Sequence, residues 1–100
     1  MSFKRIDAAS LRQMLAEQPV VIADIRDDAS FEAAHIEGAI QLGNHNFSEF
    51  LQSSSETDSV VVVCYHGISS QPVAGFLVEQ GYSDVYSLDG GYEAWASLQN

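Results

Sequence analysis

One cysteine, Cys64, closes the most apolar run in the chain, Val60-Val61-Val62-Val63. After it come Tyr65-His66-Gly67-Ile68-Ser69-Ser70, then apolar residues at helical spacing, Val73, Phe76 and Leu77. The order reads as strand, nucleophile, short loop, helix. A thiol at such a junction lies under a ring of backbone N–H groups and at the positive end of a helix dipole. Both stabilise a thiolate and attract an anion. The chemistry this allows is attack by sulfur on an anionic substrate. Read without its setting, a lone apolar-flanked cysteine is as often a small buried hydrophobe.

Within the loop, Gly67 supplies a positive-φ position that lets successive N–H groups converge. Ser69 and Ser70 either donate hydroxyl hydrogen bonds to the bound group or cap the following helix. His66 either adds positive charge near the sulfur or faces solvent. Tyr65 shapes the rim, and Ile68 completes the loop that would line the substrate.

The charge pattern limits what else the loop can use. The formal net charge is −10, and Lys4, Arg5, Arg12 and Arg26 are the only strong cations. No lysine or arginine follows Arg26. Nucleic-acid and anionic-membrane partners are thereby excluded. Any anion at Cys64 must be held by backbone N–H groups, a helix dipole or one of those distant cations. With a single cysteine there is no internal resolving thiol, so a sulfur-bound intermediate must be discharged by an external acceptor or a second subunit. Neither a signal-like apolar stretch nor a lipidation pattern opens the chain, which leads to the expectation of a cytoplasmic protein.

The elements that must position this loop alternate regularly. Phe3–Ile6 reads as a short edge strand. Leu11, Met14 and Leu15 mark a helix with Asp7 as N-cap and Pro19 beyond its end. Val20–Ala23 is a buried strand ending at Asp24. Phe31, Ala34 and His35 repeat the helical spacing and place His35 as a core histidine. Gly38–Leu42 holds a short extended piece, and Phe47, Phe50 and Leu51 a further helix face. The valine strand belongs in the sheet centre. Gly81 ends the helix after Cys64, Val85–Leu88 is a strand, and Tyr92, Trp95 and Ala96 mark the last helix. Strands alternating with helices argue for an α/β domain with a mainly parallel sheet. In such sheets, sites gather at the carboxyl ends of the strands. Asp24 with Arg26, the Cys64 loop, and Asp89-Gly90-Gly91 therefore share one edge.

Three segments carry a resemblance. Asp24-Ile25-Arg26 with Phe31 and His35-Ile36-Glu37-Gly38-Ala39, the loop Cys64–Ser70, and Val85–Trp95 with Leu88-Asp89-Gly90-Gly91 resemble, in order, three motifs of the rhodanese family. The resemblance implies one domain over residues 1–100, with a five-stranded, mainly parallel sheet flanked by helices on both faces. It implies thiosulfate as sulfur donor, a persulfide on Cys64, and cyanide, a small thiol or a thioredoxin-like protein as acceptor, with no cofactor. Basic residues that many rhodaneses carry in the loop are replaced here by Tyr65 and Ser69, a lysine beyond it by Gln71, and a glycine before the first motif's histidine by Ala34. Weak thiosulfate binding follows, with a Michaelis constant at or above the usual upper range of about 1 mM.

Other chemistry fits less well. Asp24 and Arg26 suggest a general acid, but sulfite needs no proton to leave, so they read as structural support for the surrounding loops. Cysteine phosphatases on this fold need an arginine six positions after the cysteine to clamp phosphoryl oxygens, where Ser70 stands. The remaining alternatives are a non-enzymatic binding module and a persulfide carrier fed by another protein's persulfide. His35, His45 and His66 lack metal-ligand spacing with one another or with Cys64. Gly90-Gly91 is a strand-to-helix turn rather than a dinucleotide motif.

Overall fold

The computed structural model describes residues 2–99. Along the chain run β1 (Lys4–Ile6), α1 (Ala8–Glu17), β2 (Val21–Asp24), α2 (Asp28–Ala33), β3 (Ile40–Gln41), α3 (Phe47–Ser53), β4 (Ser59–Val63), α4 (Ser70–Glu79), β5 (Asp84–Leu88) and α5 (Gly91–Gln99). Two helix starts are set by aspartates. The Asp7 carboxylate accepts from the Ser10 N–H, and the Asp27 carboxylate from the Ser30 N–H, each at 2.8 Å. The strands form one sheet in the order β1-β5-β4-β2-β3. Every neighbouring pair is parallel. The valine strand is central, and Phe3–Ile6 contributes the edge strand β1.

The four valines are completely buried and divide the core in two. Val61 and Val63 face Ile6, Leu11, Ile22, Leu88 and Trp95 beneath α1 and α5. Val60 and Val62 face Phe50, Ala74, Leu77, Tyr82 and Val85 beneath α3 and α4. A strand buried on both faces must be apolar at every position, which explains the unbroken run. Each such side chain contributes roughly 1.5–3 kcal/mol of transfer free energy. Helices thus cover both faces, as expected.

One placement is corrected. α2 ends at Ala33, because Ala34 is extended with φ −170°. His35 therefore lies beyond the helix and is exposed, not in the core. Its ring stacks on Phe31 with centroids 3.9 Å apart, and Nδ1 lies 2.7 Å from the Phe31 carbonyl. Ile36 enters the core instead.

Parallel register carries three strand ends to one edge. Asp24 ends β2 opposite Val63, Cys64 follows β4, and Asp89 follows β5. No helix among the described residues is long and apolar enough to cross a membrane.

Candidate active site

Cys64 is 3% exposed at the floor of the loop between β4 and α4. Its Sγ accepts from the Gly67 N–H at 3.1 Å and the Ser70 N–H at 3.3 Å. The Ser70 Oγ lies 3.2 Å away. Ser70 opens α4, so the first helical amide points at the sulfur.

α5 sets the shape of this cradle. The N–H groups of Tyr92 and Glu93 donate to the carbonyls of Cys64 at 2.8 Å and Tyr65 at 3.2 Å. In a trans peptide the N–H is antiparallel to the C=O. Holding these two carbonyls against α5 therefore turns the N–H groups of Tyr65 and His66 away from it, into the loop. The amides of Tyr65, Ile68 and Ser69 find no acceptor among the described residues.

Two glycines permit this contact. Gly67 has φ +86°, and a Cβ there would sit 2.7 Å from the Gly90 nitrogen and 2.8 Å from the Leu88 carbonyl oxygen. Gly91 has φ +61°, and a Cβ there would collide with the backbone of Cys64 and Tyr65. Gly90-Gly91 is thus more than a turn. It brings the start of α5 onto the peptide that follows Cys64. Opposite, Gln71 Nε2 donates to the Gly67 carbonyl at 2.8 Å and closes the loop.

Burial pushes the Cys64 thiol up, and this is its largest single influence. The Ser70 hydroxyl and the amides of Ser70, Gly67 and His66 together outweigh burial, so the thiol titrates below its ordinary range. No cation contributes. Lys4 pairs with Asp84 at 2.9 Å, Arg5 with Asp89 at 2.7 Å and Arg26 with Asp24 at 2.8 Å. The thiolate is held by dipoles.

The remaining loop side chains form the rim. Tyr65 is half-exposed, its hydroxyl 3.1 Å from the Ser30 Oγ. Ile68 is 73% exposed. His66 is exposed, with Nδ1 3.5 Å from the Glu93 carboxylate. Ser69 occupies the position before α4 without a side-chain capping bond. Of the two serines, only Ser70 turns its hydroxyl to the sulfur.

Asp24 and Arg26 are buried together at the end of β2. Arg26 Nη2 donates to Asp24 Oδ2 at 2.8 Å and to the Ala34 carbonyl at 2.6 Å. The Arg26 backbone N–H donates to Asp24 Oδ1 at 2.9 Å. The guanidinium lies 4.1 Å from the centre of the Tyr92 ring. Tyr92 in turn donates its amide to the Cys64 carbonyl. The pair braces the start of α5, and neither member hydrogen-bonds to Cys64.

The sequence places Gly91 in the turn at this edge and Tyr92 on the last helix, but it marks neither their backbone contact with the Cys64 loop nor any role for Ser87 beyond its strand. Ser87 lies fully buried in β5 with Oγ 2.7 Å from the Ser70 Oγ. Its signal was a polar residue at an inward strand position, since residues 85 and 87 share a face.

A parallel α/β sheet with a cysteine loop at the end of its central strand defines a rhodanese-like domain. Residues 7–98 match the family described as Rhodanese-like domain, and the chain belongs to it. Among relatives, it is 48% identical over 95 residues to "Thiosulfate sulfurtransferase GlpE" of Pseudoalteromonas translucida, spanning 95% of this chain and 90% of that protein. It is 51% identical over 94 residues to the protein of the same name from Shewanella oneidensis, spanning 94% and 93%. The crystal structure of a rhodanese-like domain protein from Staphylococcus aureus superposes with TM-score 0.82 at 29% identity, covering 93% of this chain and 91% of that one.

Proposed function

We propose that this chain is a thiosulfate sulfurtransferase working through a persulfide on Cys64. The observation that carries the reading is the single sulfur facing the Gly67 and Ser70 amides at 3.1 and 3.3 Å. The relatives' name, at about half the residues identical, supports it.

In the first half-reaction the Cys64 thiolate attacks the outer sulfur of thiosulfate. A new S–S bond forms, the S–S bond of thiosulfate breaks, and sulfite leaves with the electron pair. The unpartnered amides of Tyr65, Ile68 and Ser69 supply hydrogen bonds to the anion. In the second, an acceptor attacks the terminal sulfur of the persulfide and Cys64 departs as thiolate. Cyanide becomes thiocyanate, and a thiolate becomes a persulfide. A thioredoxin-like protein is chemically competent in the same role. A single reduced thiol suits a reducing compartment, and we place the protein in the cytoplasm.

Brief incubation with thiosulfate followed by intact-mass measurement tests this. The expected result is a gain of one sulfur atom, removed by cyanide and absent in Cys64→Ser. No gain would refute thiosulfate as donor and direct attention to a non-enzymatic binding role.

A further inference from the structure

Ser70 and Ser87 are both completely shielded from solvent, side by side behind Cys64. Ser70 opens α4, and Ser87 stands in β5, paired with Val62 of β4. The three atoms form a chain, Cys64 Sγ to Ser70 Oγ at 3.2 Å and Ser70 Oγ to Ser87 Oγ at 2.7 Å. Among the described residues, Ser87 makes no side-chain hydrogen bond except to Ser70.

Proton counting gives this chain a direction. A hydroxyl carries one proton and two lone pairs. The Ser70 proton has two acceptors in reach, the sulfur and the Ser87 oxygen. The Ser87 proton has one, the Ser70 oxygen. A buried hydroxyl proton left without an acceptor is unfavourable, so the Ser87 proton takes the contact between the serines. Only one proton fits in that contact. The Ser70 proton is left with the sulfur. With Cys64 ionised, two protons fill two contacts and every group is satisfied. With Cys64 protonated, three protons compete for the same two contacts.

We propose that Ser87 is a positioning residue for Cys64: its hydroxyl, with Ser70 as sole acceptor, turns the Ser70 O–H onto the sulfur. Ser87 touches neither substrate nor sulfur and acts through Ser70. The effect on Cys64 stands whether or not thiosulfate is the donor, while its kinetic consequence rests on the sulfur-transfer reading above. In that reaction it helps the step in which Cys64 leaves as thiolate, because a better-stabilised thiolate leaves faster.

The test is the pH dependence of Cys64 alkylation by iodoacetamide, which reads the thiolate without any sulfur transfer. Wild type, Ser87→Ala, Ser70→Ala and the double variant are compared. The titratable groups around the loop are Tyr65 and His66 on it, Tyr92 and Glu93 of α5, Asp89 after β5 with its partner Arg5, Asp27 before α2, and the Asp24–Arg26 pair at the end of β2, and all are common to the four proteins. Ser70→Ala raises the midpoint by about one pH unit, the loss of a charge-assisted hydrogen bond. Ser87→Ala raises it by a few tenths of a unit, the loss of cooperative polarisation and orientation. In the Ser70→Ala background, Ser87→Ala adds nothing. At a pH where Cys64 is ionised in both proteins, thiosulfate turnover to cyanide in Ser87→Ala shows a lower kcat with the KM for thiosulfate falling alongside it, since kcat/KM for thiosulfate reports only the first half-reaction. Should the alanine variant not fold, Ser87→Thr and Ser87→Val, alike in shape, separate hydroxyl from volume, with the wild-type midpoint expected in the first and a raised one in the second. The proposal is overturned if removing the Ser87 hydroxyl leaves the midpoint unmoved, or if its effect persists without the Ser70 hydroxyl.

Discussion

Placing a cation where the loop has none tests whether charge limits the approach of thiosulfate. Gln71 is the position, because its side chain already reaches the Gly67 carbonyl at 2.8 Å while the Gly67 amide points at the sulfur at 3.1 Å. Across the backbone of Gly67, from its carbonyl oxygen to its nitrogen, the tip of residue 71 stands on the order of 8 Å from Sγ. A lysine there faces a dianion bound at the sulfur. At that distance in a water-like dielectric the attraction is about 1 kcal/mol, which is about fivefold in KM. Screening over a Debye length of about 10 Å at 0.1 M salt leaves roughly twofold.

The assay is the KM for thiosulfate of wild type, Gln71→Lys and Gln71→Met across ionic strength. The methionine variant controls for the lost hydrogen bond to Gly67. The expected outcome is a KM in Gln71→Lys about fivefold below that of Gln71→Met at low salt, with the two converging as salt rises. A lysine variant with the KM of the methionine variant at every ionic strength would refute the reasoning. Positioning by the loop amides, rather than charge, would then limit binding.

Gly67→Ala forces a side chain into positive φ, which costs about 1–2 kcal/mol before the backbone collisions at Gly90 and Leu88 are counted. Thermal unfolding should show a Tm lower by roughly 8 °C or more, and a variant within two degrees of wild type would contradict the packing described. Arg26→Ala strands the Asp24 carboxylate in the interior and should destabilise by about 3–5 kcal/mol, measured by urea unfolding. Arg26→Met combined with Asp24→Asn should recover part of that loss, whereas equal losses in both proteins would show that the charge is not what matters. The Cys64 thiol titrates below its ordinary range, so iodoacetamide reactivity should persist below the pH at which a free thiol loses it. Because the folded pKa is the lower one, the stability this group adds is complete above the unfolded pKa. It is lost as pH falls through the folded one, and Cys64→Ser should lack that part of the stability–pH slope.

The site's skeleton was legible because its signals are local. Four valines in a row admit few placements other than the sheet centre, and a cysteine directly after them must lie at a strand end. Asp7 announced α1 in the same local way. His35 was misplaced because Phe31 and His35 sit four apart, a spacing that serves a surface stack as well as a buried helix face. Nothing in that pattern marked the extended Ala34 that ends the helix. The grip of α5 on the loop was invisible for a different reason. It is backbone against backbone across a gap of more than twenty residues, made possible by the absence of a side chain at Gly91. Periodicity records side chains that are present. Ser87 left a trace, one polar residue facing inward, but its meaning depended on knowing that Ser70 lies opposite.

The identity of residue 70 ties the architecture to the chemistry. A phosphoryl group carries its charge on peripheral oxygens, and clamping these calls for a guanidinium fork at that place. Here the same place presents a short hydroxyl that reaches the sulfur instead, with a second buried hydroxyl behind it. In the sulfur transfer proposed above, Cys64 would work twice, first as nucleophile and then as leaving group. Stabilising its thiolate speeds departure, while attack weakens only in proportion to a Brønsted slope of about 0.4–0.5. Dipoles aimed at Sγ therefore assist the second half-reaction directly and raise the thiolate fraction available for the first. On that reading the donor is bound by the loop amides, with no lysine or arginine in the loop to add charge. On the proposed reading, such a site is expected to turn over readily once sulfur is loaded and to depend on donor concentration for loading.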